Sequence, residues 1–264
     1  MIQKGQNAYF NSNIRRIVEI SEHARQITLK DQRYYQRDIG LFYPSVTFIL
    51  SYFPKNKFFE SWLKDVGHNS DLIMRRAGEE GTMVHNGIER FLRGDQLQWV
   101  EVDGGINYPT EVWRMILKFA DFWNTYKPNL HASECHLFSD VHKFAGTGDI
   151  VCEINGEHWL IDIKTSNSLH RSYDLQTAAY ATAWEETHNT KIHRRGILWL
   201  KSSKRGADKS GKKIQGDGWE LKESGKTTEE DFELFKLAYK LFELENETLL
   251  PDTEILPNIV KIQP

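Results

Sequence analysis

Two short apolar runs, Ile150–Ile154 and Trp159–Ile163, constrain the fold of this chain more than any other feature. Each has strand length, and Asn155-Gly156 between them is a dipeptide that favours a tight hairpin. Gly148-Asp149 leads into the first run, and Asp162-Ile163-Lys164 closes the second. Side chains along a strand repeat every two residues, so Asp162 and Lys164 share one face. The hairpin can bring Asp149 close to that pair. Two convergent carboxylates suit a hard divalent cation, since Mg²⁺ is usually held by one or two carboxylates plus substrate phosphate oxygens. A lysine beside them can orient a water or neutralise developing charge. The combination points to metal-assisted phosphodiester cleavage.

An isolated D-x-K is also an ordinary surface ion pair, so the surroundings matter. Asp162 stands inside the apolar run Trp159-Leu160-Ile161-Asp162-Ile163, where a charge is costly unless it is paired or metal-bound. Gly146-Thr147-Gly148 allows close backbone approach beside Asp149.

Composition narrows the function classes. With 264 residues, 39% hydrophobic and 12% aromatic, the chain can bury a core and is not a disordered segment. A net charge of −3 gives no global basic signature, so any nucleic-acid contact must come from local basic patches. Cys135 and Cys152 are the two cysteines, without a CxxC, which argues against a structural zinc and an iron–sulfur cluster. Both cysteines fall in expected strands as buried apolar residues. Met1–Gly5 contains no apolar signal core, and no run approaches membrane-spanning length. The expectation is a soluble intracellular protein, cytoplasmic in a bacterium or a phage-infected cell or else organellar, without a membrane partner. There is no GxxxxGK[ST], so the chain is not itself an NTP-driven motor.

Periodicity gives the organisation. Short strands are expected at 15–20 and 33–43, and Ser45 is a good N-cap for a helix with Val46, Ile49 and Leu50 on one face. Helices follow at 57–66, at 71–93 as one helix or as two divided at Gly78 or Gly81, and at 110–126. Strands are expected at 131–138, 142–154 and 157–165, a helix at 169–187 and a strand at 193–201. A basic loop then leads to Gly218–Leu221 and a last helix over 228–247, capped by Thr227 or Thr228 with Glu230 in its first turn. This order predicts an α/β fold with a mixed central sheet flanked by helices. A single domain over 1–264 is expected: a mainly helical part at 1–128, the sheet core at 129–222, and a helix and tail at 223–264.

Two more groups stand near the D-x-K strand. Gln176 and Tyr180 are four apart and share one helix face, which either packs and faces solvent or points to the D-x-K end. His85 either plays a structural part or offers a metal a nitrogen ligand. Glu89, one turn later, either orients His85 or faces solvent.

The ordered set Gly81-Thr82-x-x-His85, Glu134, Gly148-Asp149, Asp162-Ile163-Lys164 and Gln176-x-x-x-Tyr180 resembles the PD-(D/E)xK nuclease superfamily in its RecB-like exonuclease branch. The segment Tyr43–Leu50 resembles the Pro-Ser-Val-Thr segment of the mitochondrial genome maintenance exonuclease and its bacterial and phage relatives. The match spans roughly residues 43–201, and Asp162 stands where many relatives have Glu. The resemblance implies a restriction-endonuclease-like core and a DNA exonuclease acting on single strands in replication, recombination or repair. It implies that Asp149, Asp162, the Ile163 carbonyl and His85 hold one or two Mg²⁺ or Mn²⁺ ions, and that Lys164 positions and helps deprotonate the attacking water. Gln176 and Tyr180, with Ser45 and Thr47 of the upstream segment, would hold substrate. Glu134 would contact the water network or stabilise its strand. The alternatives are a flap- or branch-specific endonuclease and a silent nucleic-acid-binding module.

Basic residues gather at 191–195 and again in the Gly/Ser-rich stretch 201–213, which is either a solubilising loop or an arm whose Lys204 and Arg205 track phosphates. Tyr52, Phe53, Phe58, Phe59 and Trp62 have helical spacing that places most of them in the core; the other reading stacks them on unpaired bases.

Overall fold

The strands of the main sheet follow from one meander and one crossover. The computed structural model describes residues 8–11, 16–19, 26–29, 32–38, 40–55, 57–201, 218–246 and 250–251. β1 (Ala8–Asn11) pairs with β2 (Arg16–Glu19), and β3 (Gln26–Leu29), β4 (Gln32–Asp38) and β5 (Leu41–Pro44) form a three-stranded sheet. There follow α1 (Val46–Ile49), α2 (Lys57–Val66), α3 (Ser70–Leu92) and α4 (Thr110–Tyr126). β6 (Asn129–Ser139), β7 (Phe144–Ile154) and β8 (Glu157–Lys164) form the meander. α5 (Arg171–His188) crosses to β9 (Arg194–Trp199), and β10 (Glu220–Glu223) and α6 (Thr228–Glu245) complete the described chain.

The five-stranded sheet has the order β10-β9-β8-β7-β6. Only β8 and β9 run parallel, as a helical crossover requires; the other neighbours are antiparallel. Asn155 and Gly156 both have positive φ, 52° and 82°, and Ile154 pairs with Glu157. This is the expected two-residue hairpin, and it fixes the register of β7 against β8.

Alternation sends the two faces of the sheet into different cores. Val151 and Leu160 pack with α1, α5 and α6, whereas Ile150, Cys152, Ile154, Ile161 and Ile163 pack with α3 and α4. Ala178, Ala179, Ala181 and Ala183 are fully buried and keep α5 slim enough to lie close on the sheet. Thr227 caps α6 through a reciprocal capping box with Glu230.

Some sequence expectations need correction. The stretch at 1–128, although helices make up the larger part of it, opens with the five strands β1 to β5. The strand expected at 33–43 is two strands, β4 and β5, turning at Gly40 with φ 75°. Tyr35 and Tyr43 of that hairpin pack on Phe138 and Ala145 and dock it on the main sheet. α3 runs through Gly78 and Gly81 without a break; Gly81 lies against β8's end, where a Cβ would come 3.2 Å from Thr165 Oγ1. Finally, α2 buries none of its residues, and Phe58 is 86% exposed. Its aromatics are not core residues, while Tyr52 and Phe53 only edge the α5–α6 core. Cys152 is buried and Cys135 partly buried, both in strands. Among the described residues no helix is long and apolar enough to cross a membrane.

Candidate active site

The β7–β8 ladder ends at the pair Ile150–Ile161, and one more step in the same register sets Asp149 opposite Asp162. Beyond the ladder, the Ile163 amide donates to Asp149 Oδ2 at 2.6 Å. Asp162 is 1% exposed, and Lys164 Nζ lies 2.6 Å from its Oδ2. That contact is close but poorly directed, so Asp162 Oδ2 is a buried oxygen without a hydrogen bond of good angle. Lys164 Nζ also donates to Gln176 Oε1 at 3.2 Å, and Gln176 Nε2 donates to Tyr180 Oη at 3.1 Å. The ammonium sits 4.7 Å from the centre of the Tyr173 ring.

α3 and β6 supply the other side. His85 Nδ1 lies 3.3 Å from Glu134 Oε1 and 3.6 Å from Asp149 Oδ1. Glu134 reaches this point from a strand position with φ 46°, a left-handed backbone that costs a non-glycine residue about 1–3 kcal/mol. Sites where charges meet commonly hold such strain. The residues brought together are therefore His85, Glu134, Asp149, Asp162, Lys164, Gln176 and Tyr180.

The electrostatics are those of buried, mutually compensating charges. Burial pushes the Asp162 carboxyl up to about 6, with Lys164 pulling the other way. Burial also raises Asp149, against the opposing pull of His85. For Lys164 burial disfavours the charge, but Asp162 and Asp149 outweigh it and hold the ammonium above its ordinary range. Burial likewise opposes the imidazolium of His85, and Asp149 and Glu134 overcome it, raising the group to about 9.

This donor set fits a hard cation. His85, Glu134 and Asp149 each offer one ligand atom, all within 4.8 Å of one another. Asp162 adds a buried oxygen lacking a well-directed donor. Burial pushes the neighbouring thiol of Cys135 up to about 12.

A family model described as the PD-(D/E)XK nuclease superfamily matches residues 64–253, most of the chain. The chain belongs to the PD-(D/E)XK nuclease superfamily. Its mixed sheet flanked by helices agrees with the architecture expected for that family. No curated protein matches the nuclease in sequence. Among solved structures, the "Putative exonuclease" of Eubacterium rectale is similar at 13% identity and a TM-score of 0.40, over 70% of this chain and 76% of the other. SSO0001 is similar at 11% identity and a TM-score of 0.31, over 64% and 88% of the two chains. Likenesses of this size carry no argument about function.

Other expected residues of the nuclease take different places. Ser45 is 1% exposed, and its hydroxyl accepts from the Phe48 amide as the cap of α1. The cap engages that hydroxyl; Thr47 is exposed, with its hydroxyl 3.0 Å from Ser45 Oγ. Lys204 and Arg205 lie outside the described residues. The Ile163 side chain is buried in the α3–α4 core, leaving only its main chain to the site. Glu89 pairs with Arg93 and not with His85.

The basic group at 191–195 is largely structural. Arg194 pairs with Glu157 and Glu223, and Arg195 is buried on Asp231. The periodicity argument missed Tyr173, although Tyr173, Gln176 and Tyr180 are spaced three and four apart on one face of α5. It also missed Tyr35, whose hydroxyl lies 2.9 Å from Thr147 Oγ1 across 112 residues of sequence. No local signal reports such a contact.

Gly146 explains how Tyr180 reaches the site. A Cβ at Gly146 would sit 2.3 Å from Tyr180 Cε1, inside any tolerated contact. Gly146→Ala is expected to lower stability by about 1–3 kcal/mol through overpacking and to displace the Tyr180–Gln176–Lys164 chain. Urea unfolding measures the first effect. Loss of activity at temperatures where the variant remains folded measures the second.

Proposed function

We propose that this nuclease is a divalent-metal-dependent DNA exonuclease that prefers single strands with free ends and serves DNA replication, recombination or repair. The reading rests on one observation: Asp149, Asp162 and Lys164 converge at the open end of β7 and β8, with His85 and Glu134 opposite. Asp149, Asp162, His85 and the Ile163 main-chain carbonyl would hold Mg²⁺ or Mn²⁺, with Glu134 close by. When bound, the ion supplies Lewis acidity toward the scissile phosphate.

The chain's own groups do the rest. Lys164 is fixed by Asp162, Gln176 and the Tyr173 ring, so its ammonium orients the attacking water and balances charge gathering on the phosphate. Gln176 holds Lys164 through its oxygen and Tyr180 through its amide nitrogen. Tyr180 aligns this chain from the helix, and Thr47 stands exposed as a substrate contact.

The preference for unpaired DNA has its own support. A cavity of about 350 Å³ is lined by Phe53, Lys55, Phe59, Met74, Arg171 and Tyr173, among others. Tyr173 is shared with the Lys164 contact, so the cavity adjoins the cleavage centre. Aromatic faces beside cationic side chains suit an unstacked base and its phosphate, a pairing worth about 1–3 kcal/mol per stacked base. Phe59 of α2 belongs to this wall, which gives a physical reason for its not being buried.

The test uses 5′- and 3′-labelled single strands, duplexes and closed single-stranded circles, with Mg²⁺, Mn²⁺ or EDTA. Progressive shortening of linear single strands with either ion, none with EDTA, and intact circles are the expected results. Equally rapid cutting of circles would establish an endonuclease in its place.

A further inference from the structure

At the hairpin end of the same strands a second set of metal-ligating side chains converges, apart from the cleavage centre. Glu153 on β7 and His158 on β8 are cross-strand partners. His131 on β6 stands between Leu130, paired with Cys152, and Ala132, paired with Val151; the register shifts at this point, and the shift makes room for His131. One ligand atom from each of His131, Glu153 and His158 lies within 4.8 Å of the others, and His131 Nε2 is 4.0 Å from Glu153 Oε2. The group is four residues along β7 from Asp149, about 13 Å at strand rise.

Hydrogen bonding prepares His158 in the form a metal needs. Its Nδ1 lies 3.3 Å from the Lys191 carbonyl, which can only accept, so Nδ1 carries a proton and the ligand lone pair falls to Nε2. A ligating histidine commonly donates its other nitrogen to a backbone carbonyl, which fixes the tautomer and ring orientation. His193 buttresses the ring: its Nδ1 accepts the His158 amide at 3.0 Å, and the two imidazoles stack with centroids 5.3 Å apart and planes at 25°. His131 meets the same ring edge-on at 5.2 Å.

We propose that His131, Glu153 and His158 form a second metal site, for a transition cation of the Zn²⁺ type. Two imidazoles and a carboxylate are a three-ligand zinc set with a fourth position left for water. Bonds of about 2.0–2.2 Å place such ligand atoms roughly 3.5 Å apart, so the cluster closes with small rotations of the solvent-accessible His131 and Glu153 side chains. The low cysteine count argued against a zinc held by thiolates; this set contains none, so that argument does not reach it. The ion would tie β6, β7 and β8 together at the end remote from cleavage.

The experiment titrates Zn²⁺ against a chromogenic chelator with the full chain carrying Asp149→Ala and Asp162→Ala, which disables the cleavage centre. This protein is expected to hold one Zn²⁺, and adding His158→Ala or His131→Ala should weaken that binding at least about 10-fold. Unchanged affinity after both histidine substitutions overturns the proposal. Independently, crystals of the parent chain with Zn²⁺ should give an anomalous peak about 2.0–2.1 Å from His158 Nε2; a protein with zinc elsewhere and none there also overturns it. Neither readout depends on nuclease activity, so failure of this site and failure of the exonuclease assignment are separable.

Discussion

Asp162→Asn is expected to fold and to lose cleavage by a factor of at least about 10²–10³, the range seen when one preorganised electrostatic element is removed from a catalytic site. The substitution keeps the shape of the side chain, and Lys164 keeps Gln176 Oε1 and the Tyr173 ring. What disappears is the buried anionic oxygen at the end of β8, which has no well-directed donor of its own and faces Asp149 across the parted strands. An amide is a far weaker ligand for a hard cation than a carboxylate, so metal affinity and turnover fall together. The measurement is the single-turnover rate on labelled single strands over a Mg²⁺ series, with thermal unfolding run beside it. Parent-like cleavage by a pure, folded Asp162→Asn protein would remove this residue from the mechanism.

The largest effect on stability is expected at Asp231, far from the chemistry. Asp231 is fully buried and pairs with Arg195, 4% exposed, at 2.8 Å and with Arg171. Arg195 also donates to the Asp174 carbonyl, Thr177 Oγ1 and the carbonyls of Lys226 and Thr227. One guanidinium thus joins β9 to the N-terminal ends of α5 and α6. Asp231→Ala leaves that cation buried without its counter-charge, which typically costs about 3–5 kcal/mol. Replacing Asp231 and Arg195 together by leucine should cost less than Asp231→Ala alone, because the buried Arg195 charge is then gone and Arg171 keeps Asp174. Denaturant midpoints of the two variants check this. An Asp231→Ala midpoint equal to the parent's would show that the pair contributes nothing. Activity should suffer as well, since α5 carries Gln176 and Tyr180.

The elements that sequence located well are those whose signal is local. Asn155-Gly156 set the hairpin, and helical periodicity set α2 and α4 at the residues where they occur. Period-two alternation placed Asp162 and Lys164 on one face, and the hairpin register then set Asp149 against Asp162. Arg195 shows where local signals end. Among neighbouring basic residues it has the appearance of a surface patch, yet the crossover from α5 buries it. Ser45 was identified as a cap, and its hydroxyl does accept the Phe48 amide.

By itself, the order of residues determined a mixed α/β sheet and the pairing of two aspartates with a lysine, because hairpin chemistry and strand alternation act over a few residues. Only the tertiary structure decided that His85 and Glu134 close the site, that Tyr173 lies beneath Lys164, and that His131 meets Glu153 and His158. Those meetings depend on which helix covers which face and where one strand bulges. Such choices are made by packing between distant segments, and no short stretch of sequence carries them.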